Sequence, residues 1–360
     1  MKEKNLFIRV DSGIEIGIGH MIRCYALAEI LKKMDFEVKF ISRKLKGNIC
    51  DFIAEKGYKV YYLPTKNQNK KQNKFSKDDN NKTIEKDALE TTKILTNNND
   101  KPSWLLVDHY DLDIRWESFL RKFVKKIIVI DDLANRKHDC DLLLDQNLYE
   151  KMNKRYTGLV PQNCKKLFGP KYALLRSEFS KLRRTLTKRK KLQNILISFG
   201  GSDPRNETTK ALQAIKILNS KNFTVDVVVW SINPHKEQIK QLCSSIPNTT
   251  FYSNIDNIGE LMSKEHLAIG GGGSTTWERC CLGLPSIVSI ISNDQAKMIK
   301  LLAKKNCVIN LGNFQNLTPY DYANAIKKMN NKIIAKMSSD CLKIVDGLGC
   351  FRVAEIINSL

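Results

Sequence analysis

One stretch near the start of the chain, residues 6–25, limits what this sequence can fold into. It begins with an apolar run, continues as a glycine-containing loop, and ends with apolar residues near helical spacing. A strand, a glycine loop and a helix in this order present backbone N–H groups and a positive helix end to an anionic ligand. His20 stands where the loop becomes the helix. A lone histidine is more often a surface or structural residue, but this position makes it a candidate for catalysis. The loop glycines are Gly13, Gly17 and Gly19.

Composition indicates a soluble protein with more than one domain. A chain of 360 residues corresponds to about two domains, and a hydrophobic content of 42% is ample for two cores. We expect a cytoplasmic protein, because no apolar run reaches the roughly 18 residues of a membrane span and no signal-peptide core opens the chain. The ten cysteines form no CxxC and have no metal-ligand spacing with the five histidines. They are therefore predicted to be reduced core or surface thiols, with no metal site.

The formal net charge of +22 allows a nucleic-acid or membrane-surface partner. Lysine and asparagine are abundant throughout the chain, however, and no RNA-binding motif, zinc finger or basic–aromatic alternation accompanies the charge. We therefore predict no nucleic-acid partner. A positive field would also favour an anionic small ligand.

The first half alternates apolar strands with helical segments, which predicts parallel βαβ units in a doubly wound sheet. Residues 66–83 carry almost no apolar side chain and are predicted to form a flexible surface insertion. The predicted helix after His20 runs to about Met34. The predicted strands are Leu6–Asp11, Val38–Arg43, Lys59–Leu63, Trp104–His109, Ile127–Asp132 and Leu142–Asp145.

Three predicted strands of the first half end in polar clusters. Ligands of parallel sheets gather outside the carboxyl ends of the strands, so these clusters are expected to converge on one rim. An aspartate after a strand is more commonly an N-cap or turn residue, and three clusters together favour a site. Asn147 and Tyr149 follow a further strand and are candidates to join them. The clusters are Asp11-Ser12, Asp108-His109-Tyr110 and Asp131-Asp132.

The second half repeats the α/β pattern after a cation-rich stretch, residues 177–192, which we interpret as a solvated interdomain linker. One glycine loop, Gly200-Gly201-Ser202-Asp203, follows the first strand of this half, and a second glycine loop spans residues 270–273. Neither is a Walker A loop or a dinucleotide fingerprint. The predicted strands are Ile195–Phe199, Val225–Trp230, Thr250–Tyr252, Leu267–Gly270, Ser286–Ile290 and Val308–Leu311, with a helix from about Glu207.

The second glycine loop leads into Ser274, Thr275 and Glu278 at the start of a helix. A serine or threonine there can cap the helix, and bare glycines let phosphate oxygens approach the N–H groups. Two loops of this kind indicate a diphosphate ligand. Glu278 is either a carboxylate that accepts hydrogen bonds from ribose hydroxyls or one that only complements the helix dipole.

These motifs together resemble the nucleotide-sugar enzymes of the GT-B architecture. Within them they are similar to the UDP-2,4-diacetamido-2,4,6-trideoxy-β-L-altropyranose hydrolases of pseudaminic acid biosynthesis. The resemblance covers essentially the whole chain, and the second half is shared more widely with MurG-type glycosyltransferases through residues 273–285. The resembling motifs are Asp11-Ser12 with Gly17-Ile18-Gly19-His20 and Arg23, Asp108-His109-Tyr110, Ile130-Asp131-Asp132, Asn147-Leu148-Tyr149, residues 172–176, residues 200–203 and residues 346–353.

The resemblance implies an α/β GT-B fold, with two Rossmann-like doubly wound domains that face each other across a cleft. The expected N-terminal domain is residues 1–176 and the expected C-terminal, UDP-binding domain is residues 193–360. The insertion at 66–83 departs from the compact family pattern. The resemblance further implies that Glu278 holds the ribose and backbone groups at Ile255 hold the uracil, with Gln295 near the sugar.

The activity implied by the resemblance is hydrolysis at the sugar–phosphate bond, which releases UDP and 2,4-diacetamido-2,4,6-trideoxy-L-altrose. His20 is the implied general base, which activates a water for inverting attack on the anomeric carbon. Asp11 or Asp108 is expected to orient its imidazole, and Tyr110 to bind or polarise the sugar. We expect a monomer with no cofactor or metal, whose partners are a nucleotide sugar and water. The remaining expected binding residues are Gly17, Gly19, Arg23, Asp108, His109, Asn147, Gly200, Gly201, Ser202, Gly273, Ser274 and Thr275.

Two other functions remain open from the sequence. One is a glycosyltransferase that uses the same UDP-sugar donor and would need an acceptor. The other is a non-catalytic binder of a nucleotide sugar or nucleic acid.

Overall fold

The computed structural model describes residues 4–65, 77–97, 102–187, 189, 191–219 and 222–360. Contacts within this part of the chain separate two compact units. The first is Met1–Gln146 with Lys151–Tyr172 and Phe351–Leu360, and the second is Asn147–Glu150 with Ala173–Cys350. The units thus divide near residue 172 rather than at 176, and the last ten residues belong to the first unit rather than the second.

The first unit is built on a parallel sheet with strand order β3-β2-β1-β4-β5-β6-β7. Its central strands are buried on both faces, which explains why they read as nearly continuous apolar runs. The strand that sequence reasoning missed is β7, because two of its four residues are exposed lysines. Strands β1 to β7 are Lys4–Val10, Phe36–Arg43, Lys59–Leu63, Trp104–Asp108, Lys126–Ile130, Leu142–Asp145 and Lys165–Phe168.

The first four helices belong to this unit and connect its strands: α1 is Gly19–Lys32, α2 is Cys50–Glu55, α3 is Lys77–Thr96 and α4 is Ile114–Leu120. Short 3₁₀ turns lie at Arg121–Phe123, Met152–Lys154 and Pro170–Tyr172.

Helix α3 revises the predicted insertion at 66–83. Residues 66–76 lie outside the described part of the chain, whereas residues 77–83 form the first turns of α3. Beyond these turns the helix buries Ile84, Ala88 and Leu95 in the first core. Packing of this apolar stripe stabilises a helix whose first turns are polar.

The second unit carries a parallel sheet with strand order β10-β9-β8-β11-β12-β13. Strands β8 to β13 are Asn194–Ser198, Thr224–Val229, Thr249–Ser253, Leu267–Gly271, Ser286–Ile290 and Val308–Asn313. Helices α5 to α13 are Ser177–Arg184, Glu207–Leu218, Lys236–Ser244, Ile258–Lys264, Thr275–Cys281, Gln295–Lys304, Pro319–Lys328, Asn331–Leu342 and Gly349–Asn358, with a 3₁₀ turn at Phe314–Asn316. All but the last of these helices lie in the second unit.

The expectation that residues 177–192 form a solvated linker is wrong for its described residues. Residues 177–184 form α5, in which Phe179 is fully buried. Arg189 is also buried, because its guanidinium donates hydrogen bonds to backbone carbonyls of Met262, Glu265 and Leu282. From the cationic composition we did not predict the amphipathic helix α5 or the buried Arg189 that binds backbone oxygens.

Each sheet reverses its strand order at one point. In the first sheet the chain proceeds outward from β1 through β2 and β3, and then returns to place β4 on the other side of β1. In the second sheet the same reversal occurs between β8 and β11. The connections that leave the carboxyl ends of two such strands diverge to opposite sides, which opens the crevice where α/β proteins bind ligands.

All ten cysteines are buried and form no disulfide, so none is a surface thiol. Among the described residues, no helix combines the length and apolar character needed to cross a membrane.

Candidate active site

The loop after β1 closes on itself before α1 begins. Gly13 and Gly17 exchange two backbone hydrogen bonds, with N···O distances of 3.1 and 2.8 Å. Gly17 has φ = +77°, a left-handed conformation that favours glycine over other residues. This tight loop ends at Gly19, where α1 starts, and so places His20 in the first helical turn.

His20 contacts a carboxylate at the neighbouring strand end. Its Nδ1 lies 2.6 Å from Oδ1 of Asp108, the last residue of β4. We assign the proton to Nδ1, because a carboxylate can only accept this bond. Nε2 is then a hydrogen-bond acceptor, and no described residue bonds to it. The His20 side chain is 15% exposed, whereas Asp108 is fully buried.

Arg23, one turn further along α1, holds the same carboxylate. Its Nε and Nη2 donate to the two oxygens of Asp108 at 2.7 and 2.6 Å, and its Nη1 lies 2.9 Å from Oδ2 of Asp132. Burial alone would raise the pKa of Asp108, but the charge of Arg23 and the hydrogen bonds from Arg23 and His20 lower it well below its usual range. Asp108 is thus an ionised carboxylate with a fixed position beside the imidazole.

Tyr110 closes a ring of contacts around His20. Its hydroxyl donates to Oδ2 of Asp132 at 3.1 Å, and its aromatic ring meets the imidazole edge-on, with centroids 4.6 Å apart and an angle of 88°. His20, Asp108, Arg23, Asp132 and Tyr110 form what we call the His20 cluster. The cluster brings together two of the three polar strand ends that the sequence pointed to, those of Asp108 and Asp132.

Asp11, the other candidate to orient His20, is held elsewhere. Arg9 donates to both of its oxygens at 2.5 and 2.9 Å, and the backbone N–H of Arg43 donates to it at 2.8 Å. His109 places Nε2 3.1 Å from Asp11 and accepts from the N–H of Asp111 at Nδ1. Burial would raise the pKa of Asp11, yet Arg9 and His109 lower it. Asp108 therefore contacts the imidazole, and Asp11 pairs with Arg9 and His109.

The partner that sequence reasoning missed is Arg9. It lies inside the apolar run of β1, is fully buried, and also binds Asp87 of α3 at 2.8 Å. An arginine in the middle of an apolar strand was itself a signal, because a buried guanidinium requires carboxylate partners. Its partner in α3, far along the chain, could not be identified from the sequence.

In the second unit, the loop after β8 contains a side chain that fixes the start of the following helix. Gly200 has φ = +88°, and Ser202 and Asp203 are buried. Asp203 accepts hydrogen bonds from the N–H groups of Glu207 and Thr208 at 3.0 Å, so it fixes the start of α6. Burial raises its pKa. Gly200, Gly201 and Ser202 remain candidates for ligand binding at this switch point.

Most of the glycines at residues 270–273, which lie at the end of β11 and in the loop after it, are needed for packing. A Cβ at Gly270 would lie 2.2 Å from the carbonyl oxygen of Ser198, and one at Gly272 would lie 2.6 Å from Ile299. Gly273 is different, because a Cβ there would meet only Gln295 Nε2 at 3.9 Å. Ser274 and Thr275 start α9, and the Ser274 side chain makes no capping hydrogen bond.

Gln295 contacts this loop directly. Its Oε1 accepts from the N–H groups of Gly272 and Ile291 at 3.2 and 3.3 Å. The side chain expected near the sugar thus also holds the glycine loop in place.

Glu278, in the first turns of α9, is a buried carboxylate with weak internal pairing. It is 8% exposed, and among the described residues its nearest cation is Arg176, at 3.8 Å. Arg176 also contacts Glu178 at 3.1 Å and the carbonyl of Asp256 at 3.1 Å, next to Ile255. Burial raises the pKa of Glu278, and Arg176 opposes this effect. The carboxylate can therefore accept hydrogen bonds from a ligand.

Asn147 and Tyr149 do not lie with the first unit. The segment Asn147–Glu150 belongs to the second unit, although a strand of the first precedes it. Among the described residues, no group of three or more His, Cys, Asp or Glu side chains is arranged to hold a metal ion.

A family model matches part of the chain. Residues 194–345, which include both glycine loops and Glu278, match the glycosyltransferase family 28 C-terminal domain.

Curated proteins of three organisms are similar to this chain. An uncharacterized protein of Methanocaldococcus jannaschii is 28% identical over 78% of the chain, a match that spans 54% of that relative's length. A UDP-2,4-diacetamido-2,4,6-trideoxy-beta-L-altropyranose hydrolase of Campylobacter jejuni is 26% identical over 83% of the chain and 96% of its own length. The spore coat polysaccharide biosynthesis protein SpsG of Bacillus subtilis is 24% identical over 98% of the chain and 97% of its own length.

Solved structures extend the likeness to the whole chain. MurG of Acinetobacter baumannii has a TM-score of 0.65 at 13% identity, and covers 99% of this chain and 100% of its own. UDP-GlcNAc 2-epimerase of Neisseria meningitidis has a TM-score of 0.65 at 12% identity with the same coverage. The glycotransferase of kitacinnamycin has a TM-score of 0.69 at 12% identity, and covers 100% of this chain and 99% of its own. The chain therefore has a GT-B-type fold with two parallel α/β sheets, and its residues 194–345 match the glycosyltransferase family 28 C-terminal domain.

Proposed function

We propose that this protein is a hydrolase that releases UDP from UDP-2,4-diacetamido-2,4,6-trideoxy-β-L-altropyranose and yields 2,4-diacetamido-2,4,6-trideoxy-L-altrose. The observation that carries the proposal is the His20–Asp108 pair, in which the 2.6 Å bond at Nδ1 leaves Nε2 as the acceptor. A histidine held in this way is suited to take a proton from water.

The proposed reaction is a single displacement. Nε2 of His20 takes a proton from a water molecule while the water oxygen bonds to the anomeric carbon. The bond between that carbon and the diphosphate oxygen breaks, its electron pair leaves with UDP, and the imidazolium later returns its proton to solvent. Asp108 stabilises the imidazolium that forms, since it is ionised and already bonded to the ring. Arg23 holds Asp108 in place.

The second unit is proposed to bind UDP. Glu278 would accept hydrogen bonds from the ribose hydroxyls, because it is buried and its nearest cation among the described residues lies 3.8 Å away. Gly273, where an added Cβ would meet only Gln295 Nε2 at 3.9 Å, would let a phosphate oxygen approach the backbone N–H groups. UDP is a good leaving group, so orientation and charge stabilisation are the main requirements.

The relatives support this choice of substrate. The Campylobacter jejuni protein is named for hydrolysis of this UDP-sugar, and the similarity spans nearly its whole length. The motifs that resemble its family include His20 and Asp108, which the structure brings into contact.

The test is turnover of the UDP-sugar by the wild type and by His20→Gln, measured as UDP release without any acceptor. We expect His20→Gln to lower kcat about 10²–10⁴-fold, as loss of a positioned general base does. UDP affinity, measured by calorimetry, should be unchanged because the proposed UDP contacts lie in the other unit. His235→Gln, a change at the start of α7, is the matched control and should keep wild-type turnover. Equal activity in His20→Gln and the wild type would contradict the proposed role of His20.

A glycosyltransferase is the second candidate, favoured by the family 28 match over residues 194–345. The two are separated by acceptor dependence, since a transferase releases UDP efficiently only when an acceptor is supplied. NMR of the first-formed sugar adds a check on mechanism. Inversion at the anomeric carbon agrees with direct attack by water, whereas retention excludes a single displacement.

A further inference from the structure

We infer that Arg136 is a positioning residue that sets the distance and angle between Tyr110 and His20 by joining the loop after β4 to the loop after β5. The inference deepens the proposed function and rests on it for its kinetic consequences, but its structural part stands independently.

Arg136 holds two backbone oxygens of the loop that carries Tyr110. Its Nη2 donates to the carbonyl of His109 at 3.0 Å, and its Nε donates to the carbonyl of Leu112 at 2.8 Å. Tyr110 lies between these two acceptors in the chain. The guanidinium therefore fixes the loop on both sides of the tyrosine.

The other end of the guanidinium has a rigid attachment. Nη1 donates to Oδ1 of Asp131 at 2.8 Å, and Asp131 is fully buried. Oδ2 of Asp131 accepts from the N–H of Ala134 at 2.8 Å and from the hydroxyl of Tyr156 at 3.0 Å. The Asp131 position is thus fixed by contacts that do not involve the His20 cluster.

The residue next to Asp131 completes the connection. Asp132 accepts from the Tyr110 hydroxyl and pairs with Arg23, which in turn holds Asp108. Arg136 therefore links the loop of Tyr110 to the same short segment that fixes the hydroxyl end of Tyr110. With both loops fixed, the tyrosine ring has one position beside the imidazole, 4.6 Å away and nearly perpendicular.

Lysine cannot replace this arginine. A lysine ammonium can keep the ion pair with Asp131, but it lacks the planar fork that serves two carbonyls and a carboxylate at once. Arg136→Lys thus separates the charge of the side chain from its geometry. Arg115→Lys is the matched control, because Arg115 is 47% exposed at its side chain and pairs with Asp113 at the start of the neighbouring helix α4.

The first measurement requires no substrate. In protein with labelled histidines, the His20 Hε1 resonance is assigned by its loss in His20→Gln, and the contribution of the Tyr110 ring is defined by Tyr110→Leu. We expect Arg136→Lys to move this resonance toward its position in Tyr110→Leu, while Arg115→Lys leaves it unchanged. An unmoved resonance in Arg136→Lys would overturn the inference.

The second measurement is a double-mutant cycle on UDP-sugar turnover. Misplacement of a group at the reacting centre costs up to about 10²-fold, so Arg136→Lys should lower kcat roughly 10- to 100-fold with little change in KM. If Arg136 acts through the Tyr110 ring, Arg136→Lys combined with Tyr110→Leu should be no slower than Tyr110→Leu alone. Fully additive losses would contradict that route.

Thermal unfolding accompanies both measurements. If Arg136→Lys does not fold, Arg136→Gln, which keeps one amide donor for a single carbonyl, takes its place in the same two experiments. Should the wild type release no UDP from the sugar while Arg136→Lys still shifts the His20 resonance, the proposed function fails and the positioning role stands. Should the wild type turn over and Arg136→Lys match it in kcat and in the resonance, the positioning role alone fails.

Discussion

Asp11 and Asp108 end neighbouring strands, yet they serve different partners. In the β1–β4 register Asp108 lies opposite Val10, so these two side chains share a face of the sheet. Successive side chains of a strand point to opposite faces, so the side chain of Asp11 points to the face opposite that of Asp108. Asp108 meets Arg23 and His20 from α1, while Asp11 meets Arg9. The sequence identified both carboxylates, but the choice between them required the register.

A third histidine, His138, leads to a prediction about how the stability of the protein depends on pH. His138 is fully buried, with Nδ1 2.7 Å from Glu117 of α4 and Nε2 3.8 Å from Asp131. Burial would lower its pKa, but Asp131 and Glu117 outweigh this and raise the pKa to about 9. Because the folded-state pKa lies above the unfolded value, this stabilisation is complete below about pH 6.5 and is lost as pH rises through about 9.

We expect this group to contribute on the order of 3 kcal/mol to the pH dependence of the free energy of unfolding between those limits. Denaturant unfolding at several pH values from 6 to 10, on the wild type and on His138→Gln, measures it. The difference between the two proteins should shrink as pH rises. A difference that stays constant over this range would mean that His138 does not carry the charge.

At the scale of elements, the glycines at residues 270–273, at the end of β11 and in the loop after it, are small for different reasons. Gly270 and Gly272 are small because neighbouring groups occupy the space of a side chain, whereas a Cβ at Gly273 would make only an ordinary contact with Gln295 Nε2, at 3.9 Å. Packing therefore accounts for the first two glycines, and the third is left for the proposed ligand.

This division predicts opposite outcomes for two alanine substitutions. Gly270→Ala should destabilise the second unit by about 1–3 kcal/mol or more, because the added methyl meets the Ser198 carbonyl and the Arg279 guanidinium. Gly273→Ala should leave stability unchanged and weaken UDP binding, since the methyl would occupy the approach of the phosphate. Thermal unfolding and calorimetry with UDP measure the two effects. Wild-type UDP affinity in Gly273→Ala would argue against phosphate contact at this position.

Sequence reasoning succeeded where elements follow from local patterns. Strands buried on both faces read as apolar runs, and glycine loops after them read as turns, so the glycine loops and the polar residues at the strand ends were predicted, whereas the strand order was not. It failed where partners are distant in the chain. The pairing of Arg9 with Asp87 and the burial of Arg189 depend on packing between elements, which composition does not reveal.

At the scale of the whole molecule, the first unit is made of three separate segments of the chain. The last helix, α13, buries Val353, Ala354 and Ile357. Arg352 donates to the carbonyl of Lys171 at 2.8 Å, and Lys4 contacts Asn358 at 2.5 Å. The final ten residues are thus part of the first unit's packing, even though the second unit precedes them in the sequence.

Deletion of residues 351–360 should destabilise the first unit. Loss of the buried Val353 and Ile357 side chains costs on the order of 3–6 kcal/mol. Hydrogen exchange read peptide by peptide should then show faster exchange in β1 and β4, with β8 and β11 unchanged. Deletion of residues 359–360 alone serves as the control. Equal protection of β1 in the full and shortened chains would show that α13 is dispensable for this unit.

Because the first unit is made of three segments, it is synthesised in parts, with the second unit made before the last part. A ribosome synthesises residues 173–350 of the second unit before residues 351–360, so the first unit lacks most of α13 until the second unit has been translated. During that interval the apolar surface that Ile357 later covers is open to chaperones or to other nascent chains. The first sheet to be translated is therefore the last to be finished.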